Sequence, residues 1–202
     1  MKSLSEAKML GGIGTVLLLA GAPIPQIGFF VSIVGLILQF IAVKNISEIV
    51  NEQSIFSNFL INFIFGMLAI GSIIIVMIAT IGSVGGISFF TALENMNPTH
   101  PSEILSYVQP LLSGCILALV IMWILLLLGA IYLRKSYNEI AEQTNVETFK
   151  TTGTLYLIGT ATIIIIVGFL IILIARIFEI ISYFSLPDST PSKVKEDTSP
   201  QT

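Results

Sequence analysis

The chain has 202 residues, of which 54% are hydrophobic and only 10% are charged. Soluble domains carry about 25% charged residues, and a mean hydropathy of +0.96 excludes a water-soluble globular fold. The formal net charge of −3 provides no overall basic field for the phosphate backbone of a nucleic acid, so we expect no nucleic-acid partner. A single cysteine, Cys115, excludes an internal disulfide and any metal site built from cysteines. The sequence therefore predicts an integral membrane protein.

Five apolar segments are long enough, or nearly long enough, to cross a bilayer. A transmembrane helix needs about 20 apolar residues, and its backbone amides must be paired within the helix. The sequence therefore predicts an all-α polytopic bundle with about five transmembrane helices, over residues 9–22, 26–43, 56–83, 104–133 and 153–175. We expect residues 1–186 to form one transmembrane domain. The polar residues 187–202 are expected to be a disordered tail, because they cannot bury enough apolar surface to fold.

The first two segments are shorter than the others and are separated by Pro23 and Pro25. Proline removes an amide donor and moves the preceding residue out of the α region, so the sequence favours a tight helical hairpin here. Two alternatives stay open. Lys2, Lys8 and the small residues before Pro23 imitate a secretory signal peptide. In the second alternative, the two segments together form one re-entrant element, which would leave four complete spans or fewer.

The orientation in the membrane follows from the distribution of Lys and Arg between the two sides. With the N-terminus in the cytoplasm, the inner side holds Lys2, Lys8, Lys44, Arg134, Lys135 and Lys150. The outer side then holds only Lys193 and Lys195. This distribution predicts a multi-pass protein of the cell membrane with a cytoplasmic N-terminus and an external C-terminus. Arg176 and Glu179 are then expected to meet on one helix face as an anchor at the outer interface; the alternative is a buried functional charge.

The two inner connections share the pattern K-x-x-x-E-I. Lys44 and Glu48 precede the third span, and Lys135 and Glu139 precede the fifth. We expect each pair to lie in a short interfacial linker helix, with modest support from the i,i+4 spacing. Spans two and three would then repeat as spans four and five, a parallel repeat of the kind found in some transporters. Plain duplication of a structural hairpin produces the same symmetry.

Several of these segments resemble one known family. The similarity lies in residues 10–14, the turn at 24–28, residues 34–38, the connection from Lys44 to Glu48, and the helix start at 54–58. These segments resemble the uncharacterised prokaryotic membrane-protein family catalogued as domain of unknown function 996. The resemblance extends over residues 8–185 and implies a multi-span membrane fold, mainly archaeal in origin. It implies no activity and no binding residues.

Four glycines, Gly14, Gly21, Gly28 and Gly35, recur at intervals of seven across the first two spans. A step of seven returns nearly to the same helix face, so each span offers a strip where a neighbouring backbone can approach closely. We therefore expect the first two spans to pack tightly. The alternative is that glycine is simply frequent in membrane helices.

Three amide side chains, Gln39, Asn58 and Asn62, lie near the inner ends of spans two and three. Such groups form hydrogen bonds between helices in a membrane, and the alternative role is to line a solute pathway. Acidic or basic residues in the middle of a span are the usual marker of proton relays. The predicted spans lack this marker, so a proton-coupled pump is not expected.

The residues needed for catalysis or cofactor binding do not occur in recognisable patterns. Glu94, His100 and Glu103 share the outer loop, but their spacing matches no standard metal site. His100 and Cys115 lie in different kinds of segment, a loop and a span, so we expect no nucleophile activated by a base. The sequence predicts neither enzymatic activity nor a cofactor.

These observations lead to two functional hypotheses. The first is a non-enzymatic membrane protein with a structural or partner-binding role, in contact with membrane lipid and with copies of itself or other membrane subunits. The alternative is a small channel or carrier subunit for an unidentified solute. It would be built on the two repeated span pairs, with Gln39, Asn58 and Asn62 lining its path.

Overall fold

The computed structural model describes residues 3–21, 23–83, 85, 86, 88, 91 and 101–188. Regular structure in this part of the chain is entirely α-helical: α1 (Leu4–Gly21), α2 (Gly28–Ile49), α3 (Gln53–Ser83), α4 (Pro101–Thr144), α5 (Thr148–Ala161) and α6 (Val167–Phe184). Five helices, α1, α2, α3, α4 and α6, are long and apolar enough to cross a membrane. The predicted all-α fold with about five such helices is confirmed. Glu94, His100, the side chain of Glu103 and residues 189–202 lie outside the described part of the chain.

The predicted fifth span over residues 153–175 is wrong as one continuous helix. The chain leaves α5 after Ala161 and turns before α6 begins at Val167. The two helices pack against each other as a hairpin, and a Cβ atom added to Gly168 would lie 2.5 Å from the Gly159 oxygen. A continuous apolar segment does not distinguish one long helix from two short ones, because both bury or expose the same kind of side chain.

The two predicted linker helices are wrong as separate elements. Lys44 and Glu48 lie in the last turns of α2, and Lys135 and Glu139 lie within α4. Both helices continue through the charged pattern because lysine and glutamate are good helix formers. The turns that follow them are alike, since each contains an asparagine with positive φ, 55° at residue 51 and 57° at residue 145.

The described chain divides into two compact units. The first combines residues 1–59 with residues 133–202 and contains α1, α2, α5 and α6 together with the start of α3 and the end of α4. Within it, α1 contacts both α2 and α6. Its core is one cluster of buried apolar side chains that includes Leu4, Val43, Ile46, Ile55, Tyr137, Ile140, Phe149, Tyr183 and Leu186. The expectation of a single domain over residues 1–186 stays a prediction.

Both ends of the described chain lie at the same end of the first unit. Leu4 and Leu186 are buried in the same cluster, and Lys8 Nζ donates a hydrogen bond to the Leu186 carbonyl oxygen at 3.2 Å. The expectation of a C-terminus opposite the N-terminus depended on one helix over 153–175. The α5–α6 hairpin instead returns the described chain to the end of the first unit where it started, and the side of the membrane on which each terminus lies stays a prediction.

The second unit, residues 60–132, consists of the remainder of α3 and α4 in antiparallel contact. Glycines of α4 allow this approach, since Cβ atoms built at Gly114 and Gly129 would touch Thr80 and Asn62 respectively. The Phe65 and Tyr132 rings stack with their centroids 5.9 Å apart. The Cys115 sulfur lies 3.9 Å from the Met77 sulfur.

Candidate functional site

A buried carboxylate, Glu179 of α6, collects hydrogen bonds from four helices of the first unit. Its side chain is 1% exposed. The Tyr156 hydroxyl of α5 donates to Oε2 at 2.5 Å, and Arg176 Nη1 of α6 donates to the same oxygen at 3.0 Å. Gln39 Nε2 of α2 and the Tyr137 hydroxyl of α4 both donate to Oε1. A buried charge is tolerated only with such pairing.

The spacing of residues along the helices explains why these groups converge. Arg176 and Glu179 are three residues apart on α6, so their side chains share one face. Tyr156 lies on α5, which approaches α4 closely at Gly153, where a Cβ atom would come within 3.0 Å of the Arg134 Cα. The α5–α6 hairpin and the end of α4 thereby bring Tyr156 and Tyr137 to the same carboxylate.

Arg176 occupies the edge of this cluster. Its side chain is 32% exposed, and its guanidinium carbon lies 5.3 Å from the centroid of the Tyr156 ring, a cation–π distance. The ion pair to Glu179 is therefore buried at the carboxylate and partly open at the guanidinium. The expectation of a simple interfacial anchor is wrong for Glu179, which is enclosed by protein.

Aromatic rings and small polar groups close the cluster towards the helix ends. The Phe149 ring packs edge-on against both Tyr137 and Tyr183, with centroids 5.6 and 5.3 Å apart. The Thr152 and Ser182 hydroxyls lie 3.1 Å apart. The Tyr183 hydroxyl is buried and makes no hydrogen bond within the described chain.

A second polar cluster joins the start of α3 to the end of α4. Glu139 accepts hydrogen bonds from the Ser54 hydroxyl at 2.7 Å and from Asn58 Nδ2 at 3.2 Å. The Ser54 hydroxyl also lies 2.7 Å from Glu52 Oε1. Among the described residues, no group of three or more His, Cys, Asp or Glu side chains is arranged to hold a metal ion.

The structure gives the three predicted amides different partners. Gln39 belongs to the Glu179 cluster and Asn58 to the Glu139 cluster. Asn62 lies in the second unit, where its oxygen would contact a Cβ atom at Gly129 at 3.2 Å. Each amide thus has its own helix–helix contact.

The four predicted glycines face each other in two pairs between α1 and α2. A Cβ atom at Gly14 would lie 2.7 Å from the Gly35 oxygen, and one at Gly35 would lie 2.6 Å from the Gly14 oxygen. At the turn, a Cβ atom at Gly21 would lie 2.9 Å from the Gly28 oxygen. The backbones of the two helices therefore touch along the strip.

The charged residues of the K-x-x-x-E-I pattern differ in their surroundings. Lys44 and Glu48 are exposed near the end of α2, and Lys135 is exposed on α4. Glu139 is half-buried because it faces Ser54 and Asn58 of α3.

Sequence reasoning did not identify Tyr137 and Tyr156 as partners of Glu179. The available signal was an Arg-x-x-Glu pair at the end of a strongly apolar segment, together with single tyrosines in two other helices. An ionisable residue inside an apolar helix usually faces the interior of a bundle. That rule points to Glu179, but it does not name the donors, which come from distant parts of the chain.

Comparisons with known proteins identify relatives without a described activity. Residues 31–177 match the family model described as "Protein of unknown function (DUF996)". The chain is 35% identical over 190 residues to "Uncharacterized protein MJ1644" of Methanocaldococcus jannaschii, an alignment that covers 94% of this chain and 97% of the relative. No solved structure matches the chain.

Proposed function

Because this chain belongs to the DUF996 family, whose function is unknown, we propose a function from its own geometry: a non-enzymatic integral membrane protein with a structural or partner-binding role. The observation that carries this proposal is the internal pairing of Glu179. Its four donors are side chains of α2, α4, α5 and α6, so the hydrogen bonds of the carboxylate link these helices. A buried ion pair of this kind favours one packing arrangement over others.

One face of α3 in the second unit supports the partner-binding part of the proposal. Gly71, Ile75, Ile78 and Gly82 are spaced as i, i+4, i+7 and i+11, so they share one side of the helix. Ile75 and Ile78 are 69% and 67% exposed, and a Cβ atom at either glycine would meet nothing within 4 Å. We call these four residues the α3 face.

The glycines of the α3 face are not explained by packing within the chain. Glycine in a helix is less stable than alanine by about 1 kcal/mol, and no neighbour within the described chain requires its small size at these positions. Small residues are typical of contacts between membrane helices. We therefore propose the α3 face as the contact with a second copy or another membrane subunit.

Affinity purification in mild detergent, followed by native mass spectrometry, tests this proposal. We expect a stoichiometric complex for the wild-type protein. The double variant Gly71→Leu with Gly82→Leu should lose it, while Gly66→Leu should keep it, because Gly66 is equally open but lies on another side of α3. A wild-type protein that is monomeric in several detergents and in lipid nanodiscs would contradict a partner-binding role.

We further propose that the protein lies in the cell membrane of an archaeon with both chain ends in the cytoplasm. The similarity to a protein of an archaeon supports an archaeal origin. The contact between Lys8 and Leu186 supports a common side for the two ends. Basic residues near the same helix ends, Lys44, Lys135 and Lys150, support the cytoplasmic side.

The Glu179 cluster also favours a second candidate, a small carrier subunit. An ionisable residue among apolar helices often serves solute or proton transport. Glu179→Gln removes the charge but keeps a hydrogen-bond acceptor. A carrier should lose uptake in reconstituted vesicles with this variant, whereas a structural role predicts no uptake in the wild-type protein across a broad solute panel.

A further inference from the structure

An apolar groove lies between α1 and α6, with Arg176 as its charged residue. The groove has a volume of about 220 Å³ and is lined by Leu18, Leu19, Phe169, Ile172, Leu173 and Arg176. Along α6, Phe169 and Arg176 are seven residues apart, which corresponds to about 10 Å. The groove is therefore elongated, with the guanidinium towards the helix ends that hold the chain termini.

Arg176 has hydrogen-bonding capacity that its protein partners do not use. A guanidinium carries five N–H donors, and within the described chain Arg176 donates one hydrogen bond, to Glu179. Glu179 has three other donors, Gln39, Tyr137 and Tyr156, so it does not depend on Arg176 alone. Because the Arg176 side chain is 32% exposed, its remaining donors are open to an acceptor from outside the chain.

Arg176 of α6 lies at about the same height along the first unit as another basic residue, Arg134 of α4. The Tyr137 hydroxyl bonds to Glu179, which places these residues of α4 and α6 at the same level. Both helices run towards the same end of the first unit. Arg134 lies three residues before Tyr137, as Arg176 lies three residues before Glu179, and Arg134 is exposed. On the proposed membrane placement, basic residues at this level mark the boundary where lipid phosphates lie.

We propose that the groove binds one phospholipid of the leaflet on the side of the chain ends. Its phosphate accepts hydrogen bonds from Arg176, since guanidinium and phosphate form strong charge-assisted pairs. One hydrocarbon chain lies along Ile172 and Phe169 towards the centre of the membrane. The orientation of the lipid rests on the proposed membrane placement, but binding itself does not.

Native mass spectrometry of delipidated protein titrated with phosphatidylglycerol tests the site. We expect one lipid to be retained by the wild-type protein. Leu173→Trp fills the groove and should lower the affinity about tenfold or more, as should Arg176→Gln through loss of a charge-assisted pair. The control is Leu170→Trp, an exposed position on the same helix outside the groove, which should keep wild-type affinity.

Two ligand controls separate a lipid site from other sites. Diacylglycerol with the same chains lacks the phosphate and should bind about tenfold more weakly or worse, and excess inorganic phosphate should not displace the lipid. Equal retention by Leu173→Trp and the wild-type protein would overturn the proposal even if Arg176→Gln does not fold. Displacement by inorganic phosphate would also overturn it, in favour of an ion site.

Discussion

Lys8 and Leu186 are 178 residues apart in the chain, yet Lys8 Nζ donates a hydrogen bond to the Leu186 carbonyl oxygen at 3.2 Å. The same ammonium group lies 3.9 Å from the Asp188 carboxylate. The start of α1 and the end of α6 are therefore adjacent. We therefore expect Lys8 and Asp188 to lie on the same side of the membrane.

Cysteine labelling should confirm this common side. In a Cys115→Ser background, we expect single cysteines at Lys44 and Asp188 to react with a membrane-impermeant maleimide only after permeabilisation. Both positions are exposed near the same helix ends. A cysteine at Ser88, exposed beyond the far end of α3, should react from outside. If the cysteine at Asp188 reacts from outside while the one at Lys44 is protected, the common side is contradicted and the two chain ends lie on opposite sides of the membrane.

Removal of the Glu179 carboxylate should destabilise the first unit strongly. Glu179→Ala leaves the Tyr137 and Tyr156 hydroxyls and the Arg176 charge without their partner. Breaking a buried ion pair costs about 3–5 kcal/mol. We expect a large drop in the melting temperature of the protein in detergent, measured by the circular dichroism of its helices.

Two further variants calibrate that measurement. Glu142→Ala removes an exposed carboxylate from the same chain and should change the free energy of unfolding by less than about 0.5 kcal/mol. Glu179→Gln keeps the acceptor oxygen, so its free energy of unfolding should lie between those of Glu179→Ala and Glu142→Ala. A melting temperature for Glu179→Ala equal to that of Glu142→Ala would show that the cluster does not hold the helices together.

The contact between α1 and α2 should tolerate no added methyl group at Gly35. A Cβ atom there would lie 2.6 Å from the backbone oxygen of Gly14, and a backbone oxygen cannot move aside as a flexible side chain can. Gly35→Ala should therefore lower the free energy of unfolding by about 1–3 kcal/mol. Gly66→Ala has open space and should raise helix stability by up to about 1 kcal/mol. Equal effects of the two variants on thermal unfolding would contradict the close packing.

The sequence predicts the helices better than it predicts how they fold back. Apolar runs long enough to cross a membrane identify α1 to α4, because hydrophobicity and length alone determine that property. The same criterion failed at residues 153–175, where the turn between Ala161 and Val167 lies within a continuous apolar segment. The side expected for the C-terminus depends on this one turn, because a hairpin returns the chain whereas one continuous span does not.

The polar site was predictable only in part, for a different physical reason. The spacing of Arg176 and Glu179 is local, so their pairing follows from helix geometry. Gln39 lies 140 residues from Glu179, and such a contact depends on tertiary packing that one sequence does not reveal. The contact between Gly14 and Gly35 was easier to predict than that of Gln39 but harder than the local pair. The glycine spacing indicates a close helix contact, and the neighbouring helix of a hairpin is the nearest partner.

The asparagines that follow α2 and α4 should be replaceable by glycine but not by valine. Asn51 and Asn145 have φ values of 55° and 57°, in the left-handed region that asparagine and glycine tolerate. A β-branched residue is strongly disfavoured there. Asn51→Val and Asn145→Val should each lower the free energy of unfolding by about 1–2 kcal/mol, while the glycine variants should stay within about 0.5 kcal/mol of the wild-type protein.

Thermal unfolding of the four asparagine variants also tests whether the two inner connections are structural equivalents. Similar losses for Asn51→Val and Asn145→Val are expected if both turns depend on the left-handed residue, because the conformational cost is the same at each site. A loss at one site with no effect at the other would contradict that equivalence. The shared K-x-x-x-E-I pattern would then reflect only two helices that end in similar charged turns.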